Sequence, residues 1–169
     1  SFFNYPLLLK CQDSEIFENL YSTKCFIAKD KSSLLDLWEK YNGFLNNLLI
    51  QEYIPGPKEN LVNYIAVYNK KSKCSNWLIN HKIRTSSNFS SCSLMKLGGP
   101  RNIKYLSDKL ILKIGFYGYA NIEYKLFNNK FYLMEINGRV SMSASHGLLV
   151  NKNFGKTIYE IFSKSKLPK

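Results

Sequence analysis

The chain has two histidines and four cysteines among its 169 residues, and none of the cysteines forms a C-x-x-C pair. Cys11, Cys25, Cys74 and Cys92 lack the spacing of a structural zinc site. Their low density suits a reducing compartment, and a cytoplasmic location is the expectation. No Ser-His-Asp or Cys-His arrangement is evident, which argues against hydrolase-type nucleophilic catalysis. No apolar run is long enough to span a bilayer. Internal repeats and low-complexity tracts are absent. Acids are scarce too: 12 Asp and Glu stand against 24 Lys and Arg, for a formal charge of +12. No dense basic block accompanies this excess, and its tightest cluster, Lys70, Lys71 and Lys73, reads as a hairpin tip. The aromatics fall mostly at core-facing strand positions, not on a stacking surface. Neither nucleic acid nor membrane is expected as a partner.

Apolar side chains are plentiful. Hydrophobic residues make up 45% and aromatics 15%, enough for a packed core in one domain or two small lobes. The chain opens on Ser1 with a strand signal already at Tyr5, which suggests a fragment or an excised domain. Strands are predicted over Tyr5–Cys11, Lys24–Lys29, Leu48–Ile54, Leu61–Asn69 and Trp77–Arg84. Asp30 is placed to cap a helix from Lys31 to Tyr41 that Gly43 ends. Pro55-Gly56-Pro57 stops the third strand. Thr85–Ser93, rich in Ser and Asn, reads as a loop closed by Gly98-Gly99-Pro100. Asn102–Ile114 has helical spacing, and Asn153 caps a last helix reaching Phe162. The order β-β-α-β-β-β-α-β-β-α places the chain in the α+β class.

Ala120–Arg139, A-N-I-E-Y-K-L-F-N-N-K-F-Y-L-M-E-I-N-G-R, reads as a hairpin and is the most informative stretch. Asn121, Glu123 and Lys125 share one face of its first strand, and Phe131, Leu133, Glu135 and Asn137 share one face of its second. The register depends on the turn. A two-residue turn at Asn128-Asn129 pairs Glu123 with Met134 and puts the glutamates on opposite faces. A three-residue loop, Asn128 to Lys130, pairs Glu123 with Glu135 and Asn121 with Asn137. In that second register two like charges oppose each other, which is unfavourable unless a cation lies between them. Mg²⁺ (or Mn²⁺) with oxygen ligands would serve. Asn137 adds a neutral oxygen, and Arg139, two residues on, is placed to meet phosphate or carboxylate.

Further pieces point the same way. Lys10 ends an apolar strand, where a buried ammonium calls for an anion, and Lys24 opens the next. Leu49–Gly56 reads L-I-Q-E-Y-I-P-G, an apolar strand running into a rigid turn that can offer backbone groups to a planar base. With Y-P-L-L-L-K, L-I-Q-E-Y-I-P-G-P-K-E-N, N-H-K-I-R, G-Y-A-N-I-E-Y-K and L-M-E-I-N-G-R in this order, the chain resembles the ATP-grasp superfamily. It looks most like carboxylate–amine ligases akin to D-aspartate ligase and the carbamoyl-phosphate-synthase-like group.

The resemblance implies two α+β lobes whose antiparallel sheets grip ATP, a small lobe over 1–54 and a large lobe over 55–169. It implies that Lys10 and Lys24 hold ATP phosphates. Gln51, Glu52, Tyr53 and Ile54 would form the hinge at the adenine, and Glu59 would take the ribose hydroxyls. Glu123, Glu135 and Asn137 would ligate Mg²⁺. Lys82, Arg84 and Arg139 would meet the γ-phosphate or a substrate carboxylate. The implied partners are ATP and a small carboxylate and amine, amino acids among them. The implied activity joins the two through an acylphosphate. The sequence departs from the family in two places. Where the family has a glycine-rich loop between the two lysines, Gln12–Thr23 contains no glycine and carries Asp13, Glu15 and Glu18. Acids there would repel phosphate, which keeps open a second reading, a pseudoenzyme that binds nucleotide without turnover. Gly138 stands where the family commonly has Pro.

Overall fold

A computed structural model describes residues 4–12, 14–41, 48–85 and 92–163. The chain divides into two compact units, residues 1–55 with 85–93, and residues 56–84 with 94–169.

The first unit is an antiparallel three-stranded sheet with strand order β2-β1-β3, formed by β1 (Leu7–Cys11), β2 (Cys25–Ala28) and β3 (Leu48–Glu52). The central strand is the most deeply buried of the three. Leu7, Leu9 and Ala28 form a core against which Leu34, Leu37 and Ile50 pack. Two of those residues come from helix α2 (Lys31–Lys40). Asp30 caps α2 as expected: its carboxylate accepts from Ser33 N–H at 2.8 Å, and the Ser33 hydroxyl accepts from Asp30 N–H at 3.0 Å. The helix ends with Tyr41 at its C-cap, and Gly43 lies outside the described residues.

A helix of this first unit was not foreseen. Within the glycine-free segment, Ser14–Tyr21 is a helix, α1. Its Phe17 is fully buried within an aromatic group with Tyr21, Phe26 and Tyr41. Phe17 and Tyr21, four residues apart, supply one helical face. That periodicity is short and was overshadowed by the expectation of a loop.

The second unit holds a five-stranded sheet with strand order β6-β5-β4-β7-β8. Its strands are β4 (Leu61–Tyr68), β5 (Cys74–Thr85), β6 (Cys92–Leu97), β7 (Gly118–Phe127) and β8 (Lys130–Asn137). Strand β6 occupies the end of the stretch read as a loop, and residues 86–91 lie outside the described residues. Gly98 N–H donates to Ile79 O at 2.8 Å, and a Cβ on Gly99 would stand 2.3 Å from Ile79 Cγ2. Glycine is therefore required where the chain leaves β6 against β5.

Helix α3 (Asn102–Ile114) closes on Gly115 in the left-handed region, φ 68°. It covers one sheet face, burying Ile103 and Ile111 against Val62, Tyr64, Ala66, Tyr68, Ile79, Ala120, Ile122 and Tyr124. Helix α4 (Phe154–Phe162), capped by Asn153, covers part of the other face, packing Phe154 on Ile65, Val67, Leu78 and Tyr119. The rest of that second face is polar.

Candidate functional site

Alternation along the strands assembles the polar face. Two cross-strand rows run across the sheet. Asn80 of β5 pairs with Asn63 of β4, Asn63 with Glu123 of β7, and Glu123 with Glu135 of β8. In the next row Ile65 pairs with Asn121, and Asn121 with Asn137. Lys82 lies two residues beyond Asn80 on the same face of β5, and its ammonium reaches Glu123 Oε2 at 2.6 Å. Both side chains are largely enclosed, 13% and 14% exposed. Asn137 Nδ2 donates to Glu135 Oε1 at 2.8 Å.

The hairpin reaches this register by a route that combines the two sequence alternatives. The turn is the two-residue one: Phe127 pairs with Lys130, and Asn128 and Asn129 both have positive φ, 47° and 57°. Those dihedrals belong to a type I′ turn, which Asn tolerates. The register then shifts between Glu123 and Tyr124, so Tyr124 pairs with Leu133 while Glu123 pairs with Glu135. Met134 is the extra residue of a β-bulge. The bulge thereby restores the opposition of carboxylates that a two-residue turn alone would have broken.

Three buried asparagines were not singled out as site residues from sequence, apart from the facing position of Asn121. Asn63, Asn80 and Asn121 are 1%, 0% and 5% exposed. Asn63 Oδ1, both side-chain polar atoms of Asn80, and Asn121 Oδ1 have no hydrogen-bond partner. Buried amides without partners are costly and uncommon. Their signal in sequence was asparagine inside otherwise apolar strands, L-V-N-Y-I-A-V-Y and W-L-I-N-H, where strand propensity disfavours it. Lys125, on the same face of β7 as Glu123, is also buried at 8% exposure, and burial pushes its pKa down.

The remaining expected residues are placed less centrally. Arg84 is exposed near the end of β5, and Arg139 is exposed two residues past β8. Glu59 is exposed in a short 3-10 turn, Lys58–Asn60. In the first unit, Lys10 is half-buried on β1 opposite Cys25, whose thiol is pushed up to about 11 by burial despite the opposing charge of Lys10. Lys24 is ion-paired to Glu18 of α1 at 3.3 Å. Gln51 and Glu52 end β3, and Ile54 is buried. Tyr53 N–H donates to Pro6 O at 3.1 Å, so this donor is engaged in the sheet and not presented to a base.

Among the described residues no three His, Cys, Asp or Glu side chains gather. A cation on this face would therefore take two carboxylates and amide oxygens. That donor set fits a hard ion such as Mg²⁺ or Mn²⁺, which commonly takes one or two protein carboxylates and completes its shell with phosphate and water.

No protein-family model and no curated protein sequence matches the chain. Solved structures do. Biotin carboxylase from Campylobacter jejuni, in a complex with β-γ-ATP, superposes with a TM-score of 0.70 at 14% identity, over 98% of this chain and 39% of that one. The chain has the ATP-grasp fold. L-amino acid ligase from Bacillus licheniformis matches with a TM-score of 0.64 at 14% identity, over 94% of this chain and 39% of that one. N5-carboxyaminoimidazole ribonucleotide synthetase from Thermus thermophilus matches with a TM-score of 0.65 at 13% identity, over 98% of this chain and 44% of that one. The chain thus spans less than half the length of each of these ATP-grasp structures. At such identities the agreement is one of fold.

Proposed function

We propose that this chain is the nucleotide-binding part of an ATP-dependent ligase that joins a carboxylate to an amine, with release of ADP and phosphate. The observation that carries the reading is the pairing of Glu123 with Glu135 on an ATP-grasp sheet, flanked by Lys82 and Asn137. The structures it matches include a biotin carboxylase solved with β-γ-ATP and an L-amino acid ligase, which supports both the nucleotide and the class of reaction.

On this reading residues 1–54 are the small lobe and 55–169 the large lobe. Glu123, Glu135 and the Asn137 side-chain oxygen hold Mg²⁺ or Mn²⁺. Lys10 and Lys24 hold phosphate oxygens, Gln51 to Ile54 border the adenine, and Glu59 takes the ribose. Bound Mg-ATP supplies a γ-phosphoryl group that converts a carboxylate into an acylphosphate open to attack by an amine. The work left to this chain's own side chains is positioning and charge neutralisation, the larger part of catalysis in phosphoryl transfer. Lys82, Arg84 and Arg139 supply cations for the γ-phosphate or the substrate carboxylate. The unpartnered amides of Asn63, Asn80 and Asn121 supply neutral donors and acceptors that orient whatever lies over the sheet. A reducing, cytoplasmic setting agrees with the unbridged Cys11, Cys25 and Cys74.

A second reading has a specific observation behind it. Helix α1 occupies the segment where a glycine-rich loop is expected, and its Glu18 already neutralises Lys24. On this second reading the chain is a pseudoenzyme that binds nucleotide without turnover. ADP release from Mg-ATP, assayed across a panel of amino acids and other small acids paired with amines, separates the two. Release that depends on both substrates supports the ligase, and nucleotide binding with no release under any pairing supports the pseudoenzyme. Absence of nucleotide binding sinks both.

A further inference from the structure

Lys82 already stands where a metal ion would be expected to act. Its ammonium lies 2.6 Å from Glu123 Oε2, and both side chains are largely enclosed. On the paired strand, Asn137 Nδ2 is turned toward Glu135 Oε1. The two carboxylates that face each other therefore each have a donor of this chain against them, and one donor carries a full positive charge.

Resting on the assignment of Glu123 and Glu135 as cation ligands, we propose that Lys82 is an internal counter-ion that gates this site. Its ammonium competes with the divalent ion for Glu123, so that the ion binds tightly only when an anion such as the γ-phosphate draws the lysine away. A dication and an ammonium on one carboxylate lie a few ångströms apart, where their repulsion in an enclosed site is large. Lysine suits the exchange. It is a compact point charge on a flexible four-carbon stem, able to move from carboxylate to phosphate without the bidentate geometry that fixes arginine. The coupling is reciprocal: the anion strengthens metal binding, and the metal, by displacing Lys82, strengthens binding of the anion. Lys82 acts here as a positioning residue for the cation in addition to any contact with phosphate.

The test uses Mn²⁺ alone, without nucleotide, with free Mn²⁺ counted by electron paramagnetic resonance and melting temperatures followed in parallel. Lys82→Met should bind Mn²⁺ at least tenfold more tightly than the native chain, with a larger Mn²⁺-dependent rise in melting temperature. Lys82→Arg, which keeps the charge, should bind no more tightly than native. Adding Glu123→Gln to Lys82→Met should erase the gain. Should Lys82→Met fail to fold, Lys82→Gln serves in its place with the same expectation. Equal affinity in the native chain and Lys82→Met, lowered by Glu123→Gln, would overturn the gating role and leave the cation site standing. Mn²⁺ binding that is absent throughout, or indifferent to Glu123→Gln, would remove the cation site and the gating role together.

Discussion

The two faces of the five-stranded sheet treat buried polar groups in opposite ways. Under α3, each polar group is answered. The hydroxyls of Tyr64 and Tyr68 donate to Asp108 Oδ1 at 3.1 and 2.9 Å, Lys104 pairs with the other oxygen, and Ser107 meets Tyr124 OH at 2.9 Å. Burial pushes the pKa of both tyrosines up, so they remain neutral donors. On the opposite face Asn63, Asn80 and Asn121 are equally buried and carry side-chain atoms with no partner. A satisfied network stabilises a fold, and an unsatisfied one costs stability. The first face is thus arranged for folding. The second bears a cost that makes sense where a ligand supplies the missing partners.

That contrast can be broken in steps, from the largest effect to the smallest. Glu135→Gln on the polar face should lower metal-dependent ATP affinity by about 100-fold, since a ligand is lost and even supporting residues of metal sites cost 10–100-fold. Circular dichroism should show folding nearly intact, and unchanged ATP affinity in the presence of Mg²⁺ would refute the metal assignment. Asp108→Ala on the α3 face should do the reverse. Two tyrosine hydroxyls and Lys104 lose their acceptor, costing about 2–3 kcal/mol in urea unfolding with nucleotide affinity unchanged. Asn80→Leu, similar in shape and apolar, should raise stability by about 1 kcal/mol, because it removes a buried amide that has no partner. It should weaken nucleotide binding at the same time. A loss of stability in Asn80→Leu would mean that the amide is satisfied within the folded chain.

The smallest effect lies outside both faces and serves as a control. The Ser33 N–H, ahead of other contacts, holds the Asp30 carboxyl below its ordinary value of 3.8. A depressed carboxyl contributes stability above its unfolded pKa and loses it as pH falls through the lowered folded value. Helix α2 should therefore fray only in acid below about pH 4. Asp30→Ala should abolish that acid step and leave ligand binding untouched.

Much of this architecture was legible in the residues. Strand signals marked β4, β5, β7 and β8, with period-two alternation clearest in the last two, and Asp30 and Asn153 opened their helices by local hydrogen bonding. Helix α1 and strand β6 were missed. Each is short, and what stabilises them is not local: the burial of Phe17 among aromatics from other elements, and pairing along β5. The unpartnered Asn63 and Asn80 were also missed, because sequence shows an asparagine in a strand but not which face is covered.

By itself the sequence determined the alternation of Glu123 with its neighbours, a hairpin reversing around Asn128 and Asn129, and the presence of two acids in it. It left the register undecided between two pairings, and only the tertiary structure chose. Phe131 and Ile136 are five residues apart, an odd spacing that would put them on opposite faces of a regular strand, yet both pack against the core under α3. The extra residue at Met134 lets both reach that core, and in doing so turns Glu135 toward Glu123. Burial of two distant apolar side chains thus decided where the second carboxylate of the candidate site would lie.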